Sequence, residues 1–317
     1  MINKPIKNVK NKISFSVLID GIFILLIILC FYLQTSMQSS RVVYVPKGGT
    51  NAIITYLQAN NFDLTNGDKY LVRFFGYPQS GWLDIGQSTL SKGDFLYKLT
   101  TAKAVLEDIM LIPGETLYFF IKEISAKLDL DEYALQLAYA KYAPMPDGVI
   151  LANTYKVPKG ISASHLMYYL VNTSLNEHKK WAIKFLGEYD EKQWFRYVII
   201  ASIIQKESAN EEEMPIISAV IRNRLEKKMR LQMDGSLNYG KYSHTKITPQ
   251  MIQNDTTSYN TYRNDGIPES PVGSVGFKAI QAAIFPANVD YLYFVRNKNG
   301  VHSFSKTYKE HLNNFSK

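Results

Sequence analysis

One glutamate at the end of an apolar helix pattern is the strongest candidate for chemistry in this sequence. It is Glu207, which follows Ile200, Ile203 and Ile204 at the spacing i, i+3, i+4, i+7. This spacing places the carboxyl group on the same helix face as the isoleucines. Burial and the negative end of the helix dipole both raise the pKa of such a group. A carboxylic acid that stays protonated near pH 7 can protonate a glycosidic oxygen. The pattern also fits a surface glutamate at a fraying helix end, with Lys206 beside it.

Two loops downstream of this glutamate are rich in amides, hydroxyls and aromatic rings. They cover residues 230–240 and 255–263. A sugar ring offers hydroxyl groups for hydrogen bonds and an apolar face that stacks on tyrosine, so this composition suits carbohydrate. Turn-rich loops without a ligand look similar. The basic residues between 222 and 230 are interpreted as capping the end of a helix over 215–229.

The elements that must position these residues are a mixture of helices and short strands. Apolar spacing predicts helical segments over 161–196, 195–209, 215–229 and 277–284. Alternation and turn residues predict a β-hairpin with strands 291–295 and 301–305. Upstream, residues 41–45 are predicted to form a strand, and Thr50 is predicted to cap a helix over 51–59. We therefore expect an α+β fold.

The N-terminal segment is typical of a membrane anchor. Residues 15–33 are almost wholly apolar, and a helix of about 20 residues spans a bilayer. Several lysines precede this run, and no basic residue follows it until Arg41, which predicts a cytoplasmic N-terminus and an exported remainder. A cleaved signal peptide is the alternative, but no small-x-small cleavage site follows the run. We expect an uncleaved anchor.

The composition narrows the choice of partners. Lys and Arg number 36 against 28 Asp and Glu, which gives a formal net charge of +8. The basic excess lies in the N-terminal tail and in residues 148–317. Such a balance alone suggests nucleic acid, anionic lipid or an acidic polymer, but an exported basic half makes nucleic acid a poor candidate. The single cysteine, Cys30, excludes an intrachain disulfide and multi-cysteine metal sites, and the five His lack ligand spacing.

Several segments together resemble the membrane-anchored endolytic murein transglycosylases, the MltG or YceG-like family. They are residues 200–209, 230–234, 238–240, 258–262, 266–268, 287–295 and 302–305. The order of these segments is specific, although each is weak alone. The family's catalytic glutamate is the second in an Ala-Ser-Ile-Val-Glu-Lys-Glu-Thr type segment, and it matches Glu207. The first glutamate is replaced here by Gln205, which supplies no carboxylate. The family's Asp-Pro-Thr is replaced by Asp234-Gly-Ser236.

The resemblance implies a division of the chain into four parts. They are a cytoplasmic tail over 1–14, a single transmembrane helix over 15–33, a LysM-like βα region over 41–147, and a mixed helix and hairpin catalytic domain over 148–317. The pattern from Tyr44 to Leu57 resembles a LysM module, a βααβ fold that holds N-acetylglucosamine-containing glycans. A spacer without glycan contact is the alternative. The implied localisation is the cell (inner) membrane, with the catalytic domain outside the cytoplasm.

The resemblance also implies a reaction and its participants. The reaction is cleavage of the MurNAc–GlcNAc β-1,4 bond within nascent peptidoglycan strands, which leaves 1,6-anhydroMurNAc ends and terminates elongation. Glu207 is the implied acid and base, and no metal or redox cofactor is implied. The implied partners are glycan strands, the membrane and a peptidoglycan synthase, with no nucleic acid. Candidates for positioning sugars are Gln232, Asp234, Asn260, Tyr262, His302 and Ser305.

Two other functions stay open at this point. A hydrolytic muramidase would need a second carboxylate to activate water, and Asp234 is the nearest candidate. A non-catalytic scaffold would use the LysM-like region to hold glycan at the wall. The released ends distinguish the three functions, because only the transglycosylase leaves anhydro ends.

Overall fold

A 20-residue apolar helix, α1 (Phe15–Gln34), begins the part of the chain that the computed structural model describes, residues 15–315. Its segment Val17–Gln34 has a mean hydropathy of 2.5, and none of its residues is fully buried. By length and composition α1 suits a membrane span or a signal sequence. The predicted cytoplasmic tail, residues 1–14, lies outside the described residues.

The chain forms two compact units. The first extends to Leu106 and includes Pro158–Gly160, and the second comprises Glu107–Val157 and the residues from Ile161 onward. The division predicted from the sequence between residues 147 and 148 stays a prediction.

The first unit contains two small antiparallel sheets and three helices besides α1. β1 (Ser36–Gln38) pairs with β4 (Thr89–Ser91), and β2 (Val42–Val45) pairs with β3 (Gly81–Asp84). The helices are α2 (Thr50–Ala59), α3 (Asp68–Phe75) and α4 (Lys92–Thr101). The segment from β2 to β3 therefore has the order strand, helix, helix, strand, closed by antiparallel pairing of its two strands.

The core of the first unit is built from the inward faces of these elements. Val43 pairs with Leu83 in the sheet, and both are buried with Leu57 of α2. Thr50 does not cap α2 as predicted. It is the first helical residue and is buried, while the capping position is Gly49, which has no side chain to accept a hydrogen bond.

The second unit is mostly helical, with one two-stranded sheet and one hairpin. The sheet pairs β5 (Leu106–Leu111) with β6 (Asn153–Pro158), and the hairpin pairs β7 (Tyr293–Arg296) with β8 (His302–Ser305). The helices are α5 (Leu117–Leu128), α6 (Glu132–Tyr142), α7 (Ala163–Leu186), α8 (Glu191–Glu207), α9 (Met214–Glu226), α10 (Pro249–Asn254), α11 (Phe277–Ile284) and α12 (Tyr308–Phe315). The helical stretch predicted over 161–196 is interrupted, because Gly187 ends α7 in the left-handed conformation.

Helix α8 is the scaffold of the site. Its N-cap is Asp190, whose side chain accepts a hydrogen bond from the Gln193 N–H, and the helix packs against α9 and α11. The buried His178 of α7 joins it through Trp194, whose Nε1 donates to His178 Nδ1 over 3.0 Å. Burial lowers the pKa of His178 to about 4, so its imidazole is neutral and its Nε2 donates to the Val149 carbonyl.

Candidate active site

Glu207 is the last residue of α8, and its side chain lines a cavity of about 380 Å³. We call this the Glu207 cavity. Its other lining residues come from α9, the loops after α9 and α10, the hairpin and α12: Arg224, Leu231, Gln232, Met233, Asp234, Tyr262, Tyr293, Phe294, Tyr308 and His311. The carboxyl group therefore faces a space bounded by aromatic rings, an amide, a guanidinium and a second carboxylate.

The environment of Glu207 sets its protonation near neutrality. Burial raises its pKa to about 7. A hydrogen bond from the Gly235 N–H to Glu207 Oε1, 2.7 Å long, lowers the pKa, while the nearby Asp234 raises it. Because burial is the largest of the three effects, the carboxyl group can both give and take a proton near pH 7.

The loop that contains Gly235 lies so close to Glu207 that a side chain at position 235 would have no room. A Cβ atom placed on Gly235 would lie 2.9 Å from Glu207 Oε1 and 2.7 Å from Lys206 Cβ. The short 3₁₀ turn Asp234–Leu237 is therefore pressed against the end of α8. Glycine at this position also supplies the N–H that binds Glu207. The family's Asp-Pro-Thr segment has a proline here, and proline has no N–H to donate.

Three of the predicted sugar-positioning residues line the Glu207 cavity. They are Gln232, Asp234 and Tyr262. The Tyr262 hydroxyl donates to Asp234 Oδ1 over 2.7 Å, which fixes one carboxylate oxygen of Asp234. Burial, and after it this hydrogen bond, raise the pKa of Tyr262, so its phenol stays neutral. The role of these three residues in holding sugar stays a prediction.

The other three predicted residues make framework contacts and do not line this cavity. Asn260 is 0% exposed, and its Nδ2 donates to the carbonyls of Ile252 and Asp255, 2.8 Å each. Ser305 is buried in β8, and its backbone carbonyl accepts from Leu292 N. His302 bonds a carboxylate described below. Contact of these three residues with sugar stays a prediction.

Glu213 ties the segment after α8 to the hairpin. Its carboxylate accepts from the His302 N–H at 2.6 Å, from His302 Nδ1 at 2.7 Å and from the Ala209 N–H at 3.1 Å. Burial opposes ionisation of Glu213, but these hydrogen bonds outweigh it and lower the pKa below its usual value. The latch formed by Glu213 and His302 therefore fixes the chain two residues beyond Glu207.

Arg224 was not predicted to belong to the site. The basic cluster that contains Arg224 was predicted to cap the end of α9, but the Arg224 guanidinium does not do so. Instead Nε donates to the Leu292 carbonyl at 2.6 Å and Nη1 to the Leu231 carbonyl at 2.7 Å. The sequence did carry a signal, because Ile217, Val220 and Arg224 share one helix face, at the same spacing that identified Glu207.

A second polar cluster surrounds Lys206, the residue before Glu207 in α8. Lys206 Nζ donates to Ser243 Oγ at 2.7 Å, and burial lowers the pKa of Lys206. Burial raises the pKa of Asp147 to about 7, although the N–H groups of Leu117 and Gly148 donate to its carboxylate. Asp147 and Glu115 both attract Lys206 electrostatically. No sequence pattern joins these distant residues.

Within residues 15–315, no group of three or more His, Cys, Asp or Glu side chains is placed to hold a metal ion.

Comparisons with known proteins show which family and which proteins this chain is similar to. A family model described as "YceG-like family" matches residues 43–317. The endolytic murein transglycosylase of Bacillus subtilis is 27% identical over 298 residues, which cover 85% of this chain and 82% of that protein. The protein of the same name from Streptococcus pneumoniae is 36% identical over 101 residues, covering 30% of this chain and 18% of its own length.

A solved structure shares the fold. The crystal structure of a yceG-like protein from Listeria monocytogenes superposes with a TM-score of 0.58 at 25% sequence identity. The superposition covers 87% of this chain and 99% of the Listeria chain.

Proposed function

The chain belongs to the YceG-like family, and on that premise we propose that it is an endolytic murein transglycosylase in which Glu207 is the catalytic acid and base. The observation that supports this role is a carboxyl group with a pKa of about 7 facing a cavity of about 380 Å³. The cavity is lined by aromatic residues, one side-chain amide and two carboxyl groups, which together suit a sugar ring.

The proposed reaction breaks the MurNAc–GlcNAc β-1,4 bond within a strand. Protonated Glu207 gives its proton to the glycosidic oxygen while the C1–O bond breaks and an oxocarbenium-like state develops. The C6 hydroxyl of the same sugar then attacks C1, and the Glu207 carboxylate takes the hydroxyl proton. The products are a 1,6-anhydroMurNAc end and a free GlcNAc 4-hydroxyl, and no water is consumed.

This mechanism needs a single carboxyl group. The nucleophile is tethered to the reacting sugar, so no second carboxylate has to activate water. Gln205 replaces an acidic residue of the family segment, which is consistent with a mechanism that needs only one carboxyl group. Asp234, Gln232 and Tyr262 would hold the sugars on either side of the bond.

The first unit is proposed to include a LysM-like module within residues 41–147. The order of β2, α2, α3 and β3, with the outer strands paired antiparallel, is the βααβ order of that module. We also propose that this region contacts glycan. Residues 148–317 are proposed to form the catalytic domain.

Helix α1 is proposed to be a retained membrane anchor with the catalytic residues outside the cytoplasm. The last turn of α1 is part of the first unit's structure, because the Tyr32 hydroxyl donates to the buried Asp68 at 2.9 Å and Leu33 packs against the core. Cleavage beyond Leu33 would remove these contacts. The proposed partners are peptidoglycan strands and a synthase whose nascent strands the enzyme would end.

Mass spectrometry of the products tests the proposed reaction. The full-length protein in detergent would be incubated with purified, uncrosslinked glycan strands. We expect products with 1,6-anhydroMurNAc ends and no incorporation of oxygen from ¹⁸O-labelled water. Reducing ends carrying ¹⁸O would identify a muramidase, and uncut strands would identify a scaffold.

A further inference from the structure

A second cavity, of about 410 Å³, lies in the same unit and is separate in its lining from the Glu207 cavity. We call it the Tyr239 cavity. Its lining residues include the aromatic Tyr239 and Tyr242, the amide-bearing Gln250 and Asn254, and Asp255 and Thr257. None of these residues takes part in the proposed bond cleavage, so the cavity needs its own explanation.

The aromatic part of this wall is held rigidly. The ring of Tyr239 stacks on Tyr259 with centroids 4.0 Å apart and planes 13° apart, and Tyr242 meets Tyr239 edge-on at 5.5 Å. The Tyr239 hydroxyl donates to Asp255 Oδ2 at 3.1 Å. A fixed aromatic surface costs little conformational entropy when a ligand binds, which favours recognition of an apolar ring face.

Two side-chain amides in the lining of this cavity are free to bind a ligand. In the described part of the chain, the side-chain amides of Gln250 and Asn254 make no hydrogen bonds to other residues, whereas Asp255 Oδ1 is already bonded by Thr257 N and Oγ1. Free amides offer both donors and acceptors, which matches hydroxyl and acetamido groups. Among the described residues, the cavity is lined by the acidic Asp255 and by no basic residue, so a neutral sugar fits better than a peptide carboxylate.

A buried hydrogen-bond network joins the two cavities. Asn260 bonds the carbonyls of Ile252 and Asp255 on the Tyr239 side, and its Oδ1 accepts from the Tyr262 N–H on the Glu207 side, at 3.2 Å. Next to it, the Thr261 hydroxyl accepts from Met233 N at 3.0 Å. Both residues are almost fully buried. The walls of the two cavities are therefore joined by buried side chains.

We propose that the Tyr239 cavity is a distal subsite that holds an N-acetylated sugar of the strand, away from the bond being cleaved. This inference rests on the proposed function, because it concerns the same glycan. Such a subsite would make the enzyme prefer long strands and would place the cut away from strand ends.

The test compares side chains of the same helix, α10, that do and do not line the cavity. The variants are Gln250→Ala combined with Asn254→Ala, whose side chains line the cavity, and Gln253→Ala, whose exposed side chain does not. The substrates are uncrosslinked glycan strands stripped of stem peptides, in a short and a long size class, and the full-length protein is assayed in detergent. Loss of two hydrogen bonds predicts about a tenfold lower kcat/KM on long strands, through KM. Short strands and Gln253→Ala should show no change.

Each outcome decides a separate question. Equal kcat/KM for the double variant and the wild type on long strands would overturn the subsite. An effect that appears only when strands keep their stem peptides would identify a peptide site and overturn the sugar assignment. A wild-type protein that makes no anhydro ends on any strand would overturn the proposed function instead. Binding of stripped strands to Glu207→Gln protein, weakened about tenfold by the double variant, would support the subsite without turnover.

Discussion

The carboxyl group of Glu207 is held between opposing influences. Burial and Asp234 favour its protonated form, and the Gly235 N–H favours the carboxylate. A single group that must first donate and then accept a proton works best when neither form is strongly preferred. The pKa of about 7 meets this requirement near neutral pH.

The pH dependence of catalysis follows from this balance. The free enzyme must begin with protonated Glu207, so kcat/KM should be flat below pH 7 and fall about tenfold per pH unit above it. Asp234→Asn removes a charge that raises the Glu207 pKa, so the alkaline fall should move to lower pH. A pH–rate profile measures both. A profile without an alkaline fall between pH 6 and 9 contradicts the assignment.

Gly235→Ala tests how closely the loop must approach. The new Cβ would meet Glu207 Oε1 at 2.9 Å, so the carboxyl group must move away from its place in the cavity. A displacement near 1 Å costs about 100-fold in rate, and we expect a loss of that size in kcat. The control is Gly49→Ala, where an added Cβ meets no atom within 4 Å. Full activity of Gly235→Ala would show that the close approach is dispensable.

At the scale of elements, the hairpin and α8 are joined by the latch of Glu213 and His302. A buried carboxylate that accepts several hydrogen bonds contributes more than a surface ion pair. The latch therefore couples the position of β8 to the chain segment that follows Glu207.

Glu213→Gln should weaken this connection. We expect the free energy of unfolding to fall by about 2 kcal/mol, since charge-assisted hydrogen bonds are lost, while the exposed Glu212→Gln should have no effect. The pKa of Glu213 is lowered by folding, so its contribution is present above its usual pKa and is lost as pH falls through the folded value. Denaturant unfolding should show a larger difference between wild type and variant at pH 7 than at pH 3. The same difference at both pH values would contradict the role of ionised Glu213.

Periodic elements could be predicted from the sequence, whereas contacts made across loops could not. The helix pattern of α8 placed Glu207 on a buried face, and turn residues gave the hairpin. The composition of the loops indicated sugar contact, but it could not separate Tyr262, which lines the cavity, from Asn260, whose amide serves the framework. The cluster around Asp147 and Lys206 arises only from tertiary packing.

At the scale of the whole molecule, α1 is continuous with the first unit. The Tyr32 hydroxyl donates to Asp68, which is 0% exposed, and Lys92 Nζ lies 3.3 Å from the same hydroxyl and 4.6 Å from the ring centre. A buried carboxylate depends on such partners. The proposed anchor thus ends inside the structure that it holds at the membrane.

Tyr32→Phe should destabilise the first unit. Removing the hydroxyl leaves Asp68 without one of its donors, and we expect a loss of about 2 kcal/mol in the free energy of unfolding. Tyr70→Phe is the control, because the Tyr70 side chain is exposed. Thermal unfolding of the full-length protein in detergent would compare the two. Equal stabilities would show that the end of α1 is not part of the folded unit.

Glu207→Gln is the most direct test of the proposed chemistry. The amide keeps the shape of the side chain and can still accept from Gly235, but it cannot transfer a proton in either direction. Purified glycan strands incubated with the variant would be analysed by mass spectrometry beside the wild-type digest. We expect anhydro ends from the wild-type protein and none from the variant, with unchanged thermal stability. Anhydro ends released by a folded Glu207→Gln protein would contradict the assignment of Glu207 as acid and base.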